Sequence, residues 1–350
     1  SRAQAARSQV LRDMQFELEG RLRVAPYYLD GRRRPTRIMS VCYGEPTECV
    51  VIDEMGEAMN FLSISLFVPN NPEHELRQTD SDKLREFIMM EKPQVLVIGT
   101  GGGLKVRTLK TQLRKLVEEM REKGGIVDVV DVLTADQSVA YKYALSSRGP
   151  VEFPRYSPLR LQAVSLARRL QDPLREMAGL CSGDSQDLLS LSLHPLQDML
   201  DSSERLRYLH RAFINVVNDV GVDINLAADR QAIWSHTVQF IAGLGPRKAA
   251  ELTKIIHQKG CVQYRDQLMF DDDVRRIMRE VVWTNCCVFL QITKNTSMWV
   301  ENIDVGEALD EDDVIHIKGG GPMERSRIHP EMYTFGMRMT SDALEEDNCM

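Results

Sequence analysis

No apolar run in this 350-residue chain approaches the roughly 18 residues that a membrane-spanning helix needs, so no membrane partner is expected. The seven cysteines (Cys42, Cys49, Cys181, Cys261, Cys286, Cys287 and Cys349) contain no C-x-x-C and are odd in number. A disulfide framework and a zinc site are both disfavoured, and a reducing compartment is expected. There is no H-E-x-x-H, no G-x-x-x-x-G-K-[ST] and no G-x-G-x-x-G with an acidic partner. The Gly99–Gly103 run therefore reads as a strand-to-helix turn. Asp184 and Ser185 sit in a polar loop without a catalytic partner, and no Ser/His/Asp arrangement can be supported. The histidines are isolated, and His329 before Pro330 suits a local cap or the surface. Adjacent Cys286 and Cys287 lie in an apolar run and read as packed thiols. No internal repeat and no coiled-coil heptad emerges. The chain opens Ser-Arg-Ala-Gln rather than with Met, as a fragment does, and shows no signal peptide there. No cofactor, no metal and no small-molecule substrate is expected.

What is present is ordinary globular composition, 43% hydrophobic and 27% charged, enough for two or three domains. The net charge of -7 is unusual for a dedicated DNA binder, but it is unevenly spread. Residues 1–35 carry eight arginines against four acids, whereas residues 298–350 carry thirteen acids against four Lys/Arg. Residues 201–260 are mildly basic, eight against six. Any DNA binding by this chain alone should be weak and salt-sensitive.

In order, residues 1–22 have helical spacing through Val10, Leu11, Met14, Leu18 and Leu22. Arg32-Arg33-Arg34-Pro35 reads as a linker. Strands are expected at Arg37–Tyr43, Glu48–Asp53 and Ala58–Phe67, forming an antiparallel meander. A helix over Asp82–Met90, a strand over Val95–Gly99, a helix over Leu104–Glu122, a strand over Ile126–Leu133 and a helix over Asp136–Leu145 follow. From Pro158 the chain is helical, with Leu159–Leu170, Leu174–Leu180, Pro195–Leu200 and Glu204–Asp219 as segments; Leu188–Leu193 is ambiguous. Gln263–Met269 and Asp273–Val282 continue the helices, and Trp283–Ile292 is expected to be buried. Glu307–Asp313 is acidic, Gly319–Gly321 is a loop, and partial helical spacing returns over Glu331–Leu344.

The organising stretch is Val238–Ile256. Val238 and Ile241 share one face of a first helix. Gly243-Leu244-Gly245 turns the chain, Pro246 suits a first helical position, and Ala249, Leu252, Ile255 and Ile256 form the next apolar stripe. Two glycines permit unusual backbone angles, and the unpaired amides of a helix start suit a phosphate. Arg247 and Lys248 add positive charge. This spacing resembles the non-specific DNA-binding helix-hairpin-helix, and Gly243, Gly245, Arg247 and Lys248 are the candidate DNA-binding residues. The same unit serves elsewhere for packing alone.

Three strands followed by helix–strand alternation resemble the ribonuclease H-like fold, whose nucleases need several carboxylates around divalent metal. The strand Arg37–Gly44 resembles the opening of the YqgF type, with Cys42 where an Asp would stand. A thiol is no hard oxygen ligand for magnesium. Thr100–Gly103 offers no acid, and Asp131 and Asp136 alone make no constellation. No catalytic residue is assigned.

Longer stretches carry a more specific resemblance. Leu22–Tyr27, Leu161–Leu174, Phe213–Asn215, Val220–Asn225, Gly243–Lys248, Asn285-Cys286, Phe289-Leu290 and Arg327–Glu331 are similar to the core of the Spt-six branch of the Tex-like family of transcription elongation factors and histone chaperones. The resemblance implies a multidomain chain, α/β followed by all-α. It places an N-terminal helix and linker at 1–35, an inert YqgF (ribonuclease H-like) domain at 36–150 and a helical connector at 151–199. A helix-hairpin-helix domain at 200–292 and the start of a small death-like domain at 293–350 complete it. It further implies a non-enzymatic nuclear scaffold whose partners are the RNA polymerase II elongation complex, histones or nucleosomes through the full-length protein, and DNA weakly and non-specifically. A second hairpin is due after Gln267-Leu268, but there the chain reads Met269-Phe270-Asp271-Asp272-Asp273, without glycine and with acids that repel phosphate. That unit is expected to be structural. Against the scaffold stand a pure protein-interaction module and a metal-dependent nuclease.

Overall fold

Three strands with buried residues throughout anchor the first part of the chain. The computed structural model describes residues 2–28, 36–65, 78–122, 129, 131–183, 185–229, 231–292 and 322–347. They divide into two compact units, Ser1–Tyr208 and Leu209–Met350. The Arg32–Arg34 linker, the acidic run at 307–313 and the glycine loop at 319–321 lie outside the described residues, as does the expected start of the last domain.

The first unit opens with α1 (Arg2–Leu22), which buries Leu11, Met14, Leu18 and Leu22 at the expected spacing. Then come β1 (Ile38–Cys42), β2 (Thr47–Ile52), β3 (Ala58–Ile64), α2 (Gln78–Glu91), β4 (Val95–Gly99), α3 (Leu104–Glu122), β5 (Asp131–Ala135) and α4 (Ser138–Leu145). The sheet order is β3-β2-β1-β4-β5. Its first three strands pair antiparallel, while β1–β4 and β4–β5 are parallel. Every residue of β1, β2 and β4 is buried. Such continuous burial requires cover on both faces. One cover is α2 and α3, whose Leu84, Ile88, Leu109, Leu113 and Leu116 pack with Met39, Val41, Leu96 and Ile98.

The other cover comes from beyond residue 150. After α5 (Arg148–Glu152), α6 (Pro158–Gln171) lays Ala163, Val164, Leu166 and Ala167 against Ile38, Val50, Ile52 and Val97. Where the sequence suggested a connector from 151, the sheet's second face therefore recruits its helix. The start of α6 is fixed locally: Ser157 accepts from the Arg160 amide and Pro158 occupies the first turn. Asp172 ends it and caps α7 (Pro173–Ala178). The ambiguous Leu188–Leu193 region resolves into α8 (Gln186–Leu189), and the helix expected at Pro195–Leu200 is only a 3-10 turn, Gln197–Met199.

The unit boundary falls within α9 (Ser202–Val220), whose Leu209, Phe213, Val216 and Val217 are buried. The second unit continues through β6 (Val222–Asp223), α10 (Ile224–Asp229), α11 (Gln231–Trp234), α12 (Gly245–Lys259), α13 (Gln267–Phe270), α14 (Asp272–Ile277), α15 (Glu280–Cys286), β7 (Leu290–Gln291) and α16 (Tyr333–Asp347). β6 and β7 pair in parallel. Two local expectations change at the hairpin. Its first limb, Ser235–Phe240, is 3-10 rather than α-helical. The β-branched Thr237 and Val238 favour α-helix weakly, and Ile241 leaves the helix in extended conformation. Pro246 occupies the second helical position, because α12 already starts at Gly245; its missing N–H is still without cost there.

Candidate nucleic-acid interface and the centre of the sheet

The hairpin turn is built from backbone outward. Gly243 and Gly245 have φ of +87° and +70°. A Cβ on Gly243 would make only ordinary contact with Val282, 3.5 Å away, and one on Gly245 would meet nothing within 4 Å. Left-handed backbone, not crowding, is what requires glycine here. The Leu244 amide donates to Ile241 O at 3.1 Å and closes the turn. Leu244 precedes α12 and supplies no side-chain cap. Pro246 and Arg247 are exposed in its first turn, and Lys248 is half-buried, its Nζ donating to Gly243 O at 3.4 Å. The four sequence-predicted residues are thus together on one turn, at the positive end of a 15-residue helix.

One brace was not foreseen. Asn218 on α9 accepts from the Ala242 amide at 3.0 Å and donates through Nδ2 to Phe240 O at 3.0 Å. It holds both sides of the bend leading to Gly243. Arg327 donates to the Asn218 carbonyl at 2.6 Å, adding an exposed guanidinium to that neighbourhood. A single Asn beside the apolar Val216 and Val217 gives little sequence signal of this task.

The second hairpin differs. Asp271 accepts from the amides of Asp273 (3.0 Å) and Val274 (3.1 Å) and caps α14. Lys259 reaches Asp271 at 2.6 Å and Asp273 at 2.7 Å. The hydrogen bond from Lys259 holds the Asp271 carboxyl below its usual range. Arg265, just before α13, is fully buried and donates to Glu324 (3.1 Å), the Tyr333 hydroxyl (2.9 Å) and the carbonyls of Cys287 (3.1 Å), Met323 (2.7 Å) and Ile328 (3.0 Å). This second hairpin therefore caps its own helix start with Asp271 and buries Arg265. Cys286 and Cys287 are buried, and burial pushes their thiols up to about 12 and about 11. His329 caps through Nδ1, accepting from the Glu331 amide at 3.3 Å.

At the sheet's centre, Cys42 ends β1 with no exposed surface. Burial, and secondarily the Glu48 charge, pushes its thiol up to about 12, so it is neutral at physiological pH. Gln137 Nε2 lies 3.5 Å from Cys42 Sγ and donates to Gln162 Oε1 at 2.6 Å, while Gln137 Oε1 accepts from the Gly101 amide at 3.1 Å. Thr100–Gly102 is a 3-10 turn leading into α3, as the strand-to-helix reading requires. Asp131 accepts from the Tyr27 hydroxyl at 3.3 Å. Asp136 is held by Arg169 at 2.8 Å and by Ser138. Burial opposes its ionisation, but the hydrogen bonds from Arg169 and Ser138 prevail and lower its pKa. A thiol, with the side-chain amides of Gln137 and Gln162 beside it, therefore stands at Cys42, where the YqgF resemblance would put an acid. Among the described residues no group of three or more His, Cys, Asp or Glu could hold a metal ion.

Comparisons with known proteins give the same two parts. Residues 34–181 match a family described as the Holliday-junction resolvase-like (YqgF) domain of SPT6, and residues 186–293 match a helix-hairpin-helix motif family. A transcription elongation factor SPT6 homolog of Arabidopsis thaliana is 29% identical over 98% of this chain and 20% of its own length. The suppressor of Ty 6 homolog of Caenorhabditis elegans is 32% identical over 89% of this chain and 20% of its own. Transcription elongation factor SPT6 of Drosophila melanogaster is 29% identical over 97% and 18%. The class is thus a YqgF-like domain followed by a helix-hairpin-helix region. The chain belongs to the Spt6-type transcription factors and corresponds to their central core. It spans about a fifth of the length of these curated relatives.

Proposed function

We propose that this chain is the non-enzymatic core scaffold of a nuclear transcription elongation factor and histone chaperone that works with RNA polymerase II on chromatin. Within it the first hairpin holds DNA weakly and without sequence preference, through Gly243, Gly245, Arg247 and Lys248. The similarity to transcription elongation factors of Arabidopsis thaliana and Drosophila melanogaster supports the elongation role. Histone and nucleosome contact belongs to the full-length protein in this proposal. The single observation behind the DNA contact is the turn itself: left-handed Gly243 and Gly245 flank Leu244, which gives the start of α12 no side-chain cap, with exposed Arg247 in its first turn. Amide donors and the helix dipole suit a phosphate, and phosphate contacts carry no base code.

The test is anisotropy of labelled duplex DNA and single-stranded DNA across a salt series, with Arg247→Ala/Lys248→Ala in parallel. Loss of two phosphate contacts should weaken binding about tenfold or more at low salt and reduce the duplex salt slope by nearly 2. Equal affinity and slope in variant and wild type sinks the assignment. One observation favours a second reading, a pure protein-interaction scaffold: Lys248 is half-buried and already engaged with Gly243 O. Under that reading neither DNA binds even at low salt.

A further inference from the structure

The first unit carries a basic surface that the hairpin reading does not use. From Lys92 to Val117 the chain contains no Asp or Glu, although acids outnumber Lys and Arg overall, 51 to 44. The first three turns of α3 hold Lys105, Arg107, Lys110, Arg114 and Lys115. Its apolar stripe, Val106, Leu109, Leu113, Leu116 and Val117, is buried, which turns the opposite face to solvent. Lys105, Arg107, Arg114 and Lys115 are exposed there with Thr108 and Thr111, and Lys110 lies half-buried at the margin. Arg107, Thr111, Arg114 and Lys115 follow at i, i+4, i+7 and i+8, one line about 12 Å long. Part of the line is pre-set: Thr111 Oγ1 donates to Arg107 O at 3.1 Å, and Arg114 donates to Val132 O at 3.4 Å. The nearest acids along the helix, Glu118 and Glu119, come after the basic turns, and Arg85 takes up Glu119 at 2.7 Å. Asp131, beside Val132 on β5, accepts from Tyr27.

We propose that this face of α3 is a second, independent nucleic-acid contact, binding a phosphodiester backbone through Arg107, Lys110, Arg114 and Lys115. The positive end of the helix dipole lies at the Lys105–Arg107 end and adds to the attraction for any anion. One property favours a nucleic-acid strand over an acidic protein segment. The only large apolar side chain exposed on these turns is Leu104, so the face offers no apolar anchoring site of the kind protein segments use. A backbone contact needs none, and with no aromatic ring on these turns the contact is blind to sequence.

The test uses the whole 350-residue chain and three labelled probes of one sequence: duplex DNA, single-stranded DNA and RNA. Arg107→Gln/Lys115→Gln is compared with the charge-keeping Arg107→Lys/Lys115→Arg, each in the wild-type and the Arg247→Ala/Lys248→Ala backgrounds. The Gln pair should bind at least one probe about tenfold more weakly at low salt, and for the duplex its salt slope should fall by nearly 2, in both backgrounds. The charge-keeping pair should bind like its parent. The probe with the largest loss identifies the strand type. Unchanged binding by the Gln pair overturns the proposal. So does complete loss of binding in the Arg247→Ala/Lys248→Ala background alone. An unlabelled acidic peptide that displaces the probes as well as an oligonucleotide of equal charge overturns the nucleic-acid assignment. If the hairpin variant binds like wild type while the Gln pair does not, the hairpin reading fails and this one stands.

Discussion

The second unit contains two helix starts that answer the same electrostatic problem in opposite ways. Both leave backbone amides without intrahelical partners. At α12 the N-cap residue Leu244 offers them no side-chain acceptor, the turn is made by glycines, and the nearby guanidinium of Arg247 is exposed. At α14 the Asp271 carboxylate takes them, and Lys259 secures that carboxylate. Of the arginines of this second hairpin, Arg265 is turned inward and satisfied by protein, while Arg275 and Arg276 are exposed. One start is left open to an external anion and the other carries its own. A shared helical outline therefore does not imply a shared electrostatic surface; the charge and backbone of four or five residues decide it.

Arg265 offers the largest effect. Arg265→Met removes a buried cation and leaves Glu324, which is also buried, without its partner. Breaking such a pair typically costs about 3–5 kcal/mol. Urea unfolding monitored on the second unit should show a correspondingly lower midpoint, and Arg265→Met/Glu324→Met should recover part of the loss. DNA affinity of the folded protein should stay unchanged, because Arg265 itself is fully buried. A drop in affinity at full folding would erase the contrast between the hairpins.

These two sites also mark what the sequence makes legible. β1 and β4 were readable because both faces are covered and their apolar runs are continuous. The α12 stripe and the turn glycines were readable because their signal is local. The missing acid at Cys42 was visible as well. Arg265 was not, since its partners are 22 to 68 residues away. Nor was Asn218, whose partners lie 22 and 24 residues on. The amides of Gln137 and Gln162 beside Cys42 are far apart in sequence, and only the folded sheet joins them to it. The place of α6 on the sheet was hidden for the same reason. Ser40 donates to Ala163 O across 123 residues, a pairing that no periodicity encodes.

A smaller effect comes from Gly243→Ala. Space is adequate, since Val282 is at ordinary contact distance. The φ of +87° is the obstacle, and left-handed backbone in an alanine costs about 1–2 kcal/mol. The expected outcome is a modest drop in unfolding midpoint and a loss of DNA affinity in the same variant, because relaxation of the turn moves the helix-start amides. Gly245→Ala should behave alike. Unchanged affinity in both variants would separate the turn from binding and leave only Arg247 and Lys248 charge to explain it.

The smallest effect tests the self-capped start. Asp271→Ala removes an N-cap acceptor, which costs about 1 kcal/mol. It should not create DNA binding, because Asp272 and Asp273 remain at the exposed amides; a gain in duplex affinity would mean that the cap alone had excluded phosphate. Asp271→Asn keeps an acceptor oxygen and isolates the charge. The folded Asp271 pKa is depressed, chiefly by the hydrogen bond from Lys259. Its ionisation therefore favours the folded state above the unfolded value of about 3.9, and that contribution is lost as pH falls through the lower folded value. The stability difference between wild type and Asp271→Asn should be constant from neutral pH down to about 4 and shrink only below it. A difference that instead closed between pH 7 and 5 would assign the titration to another group and remove Lys259 as the source of the depression.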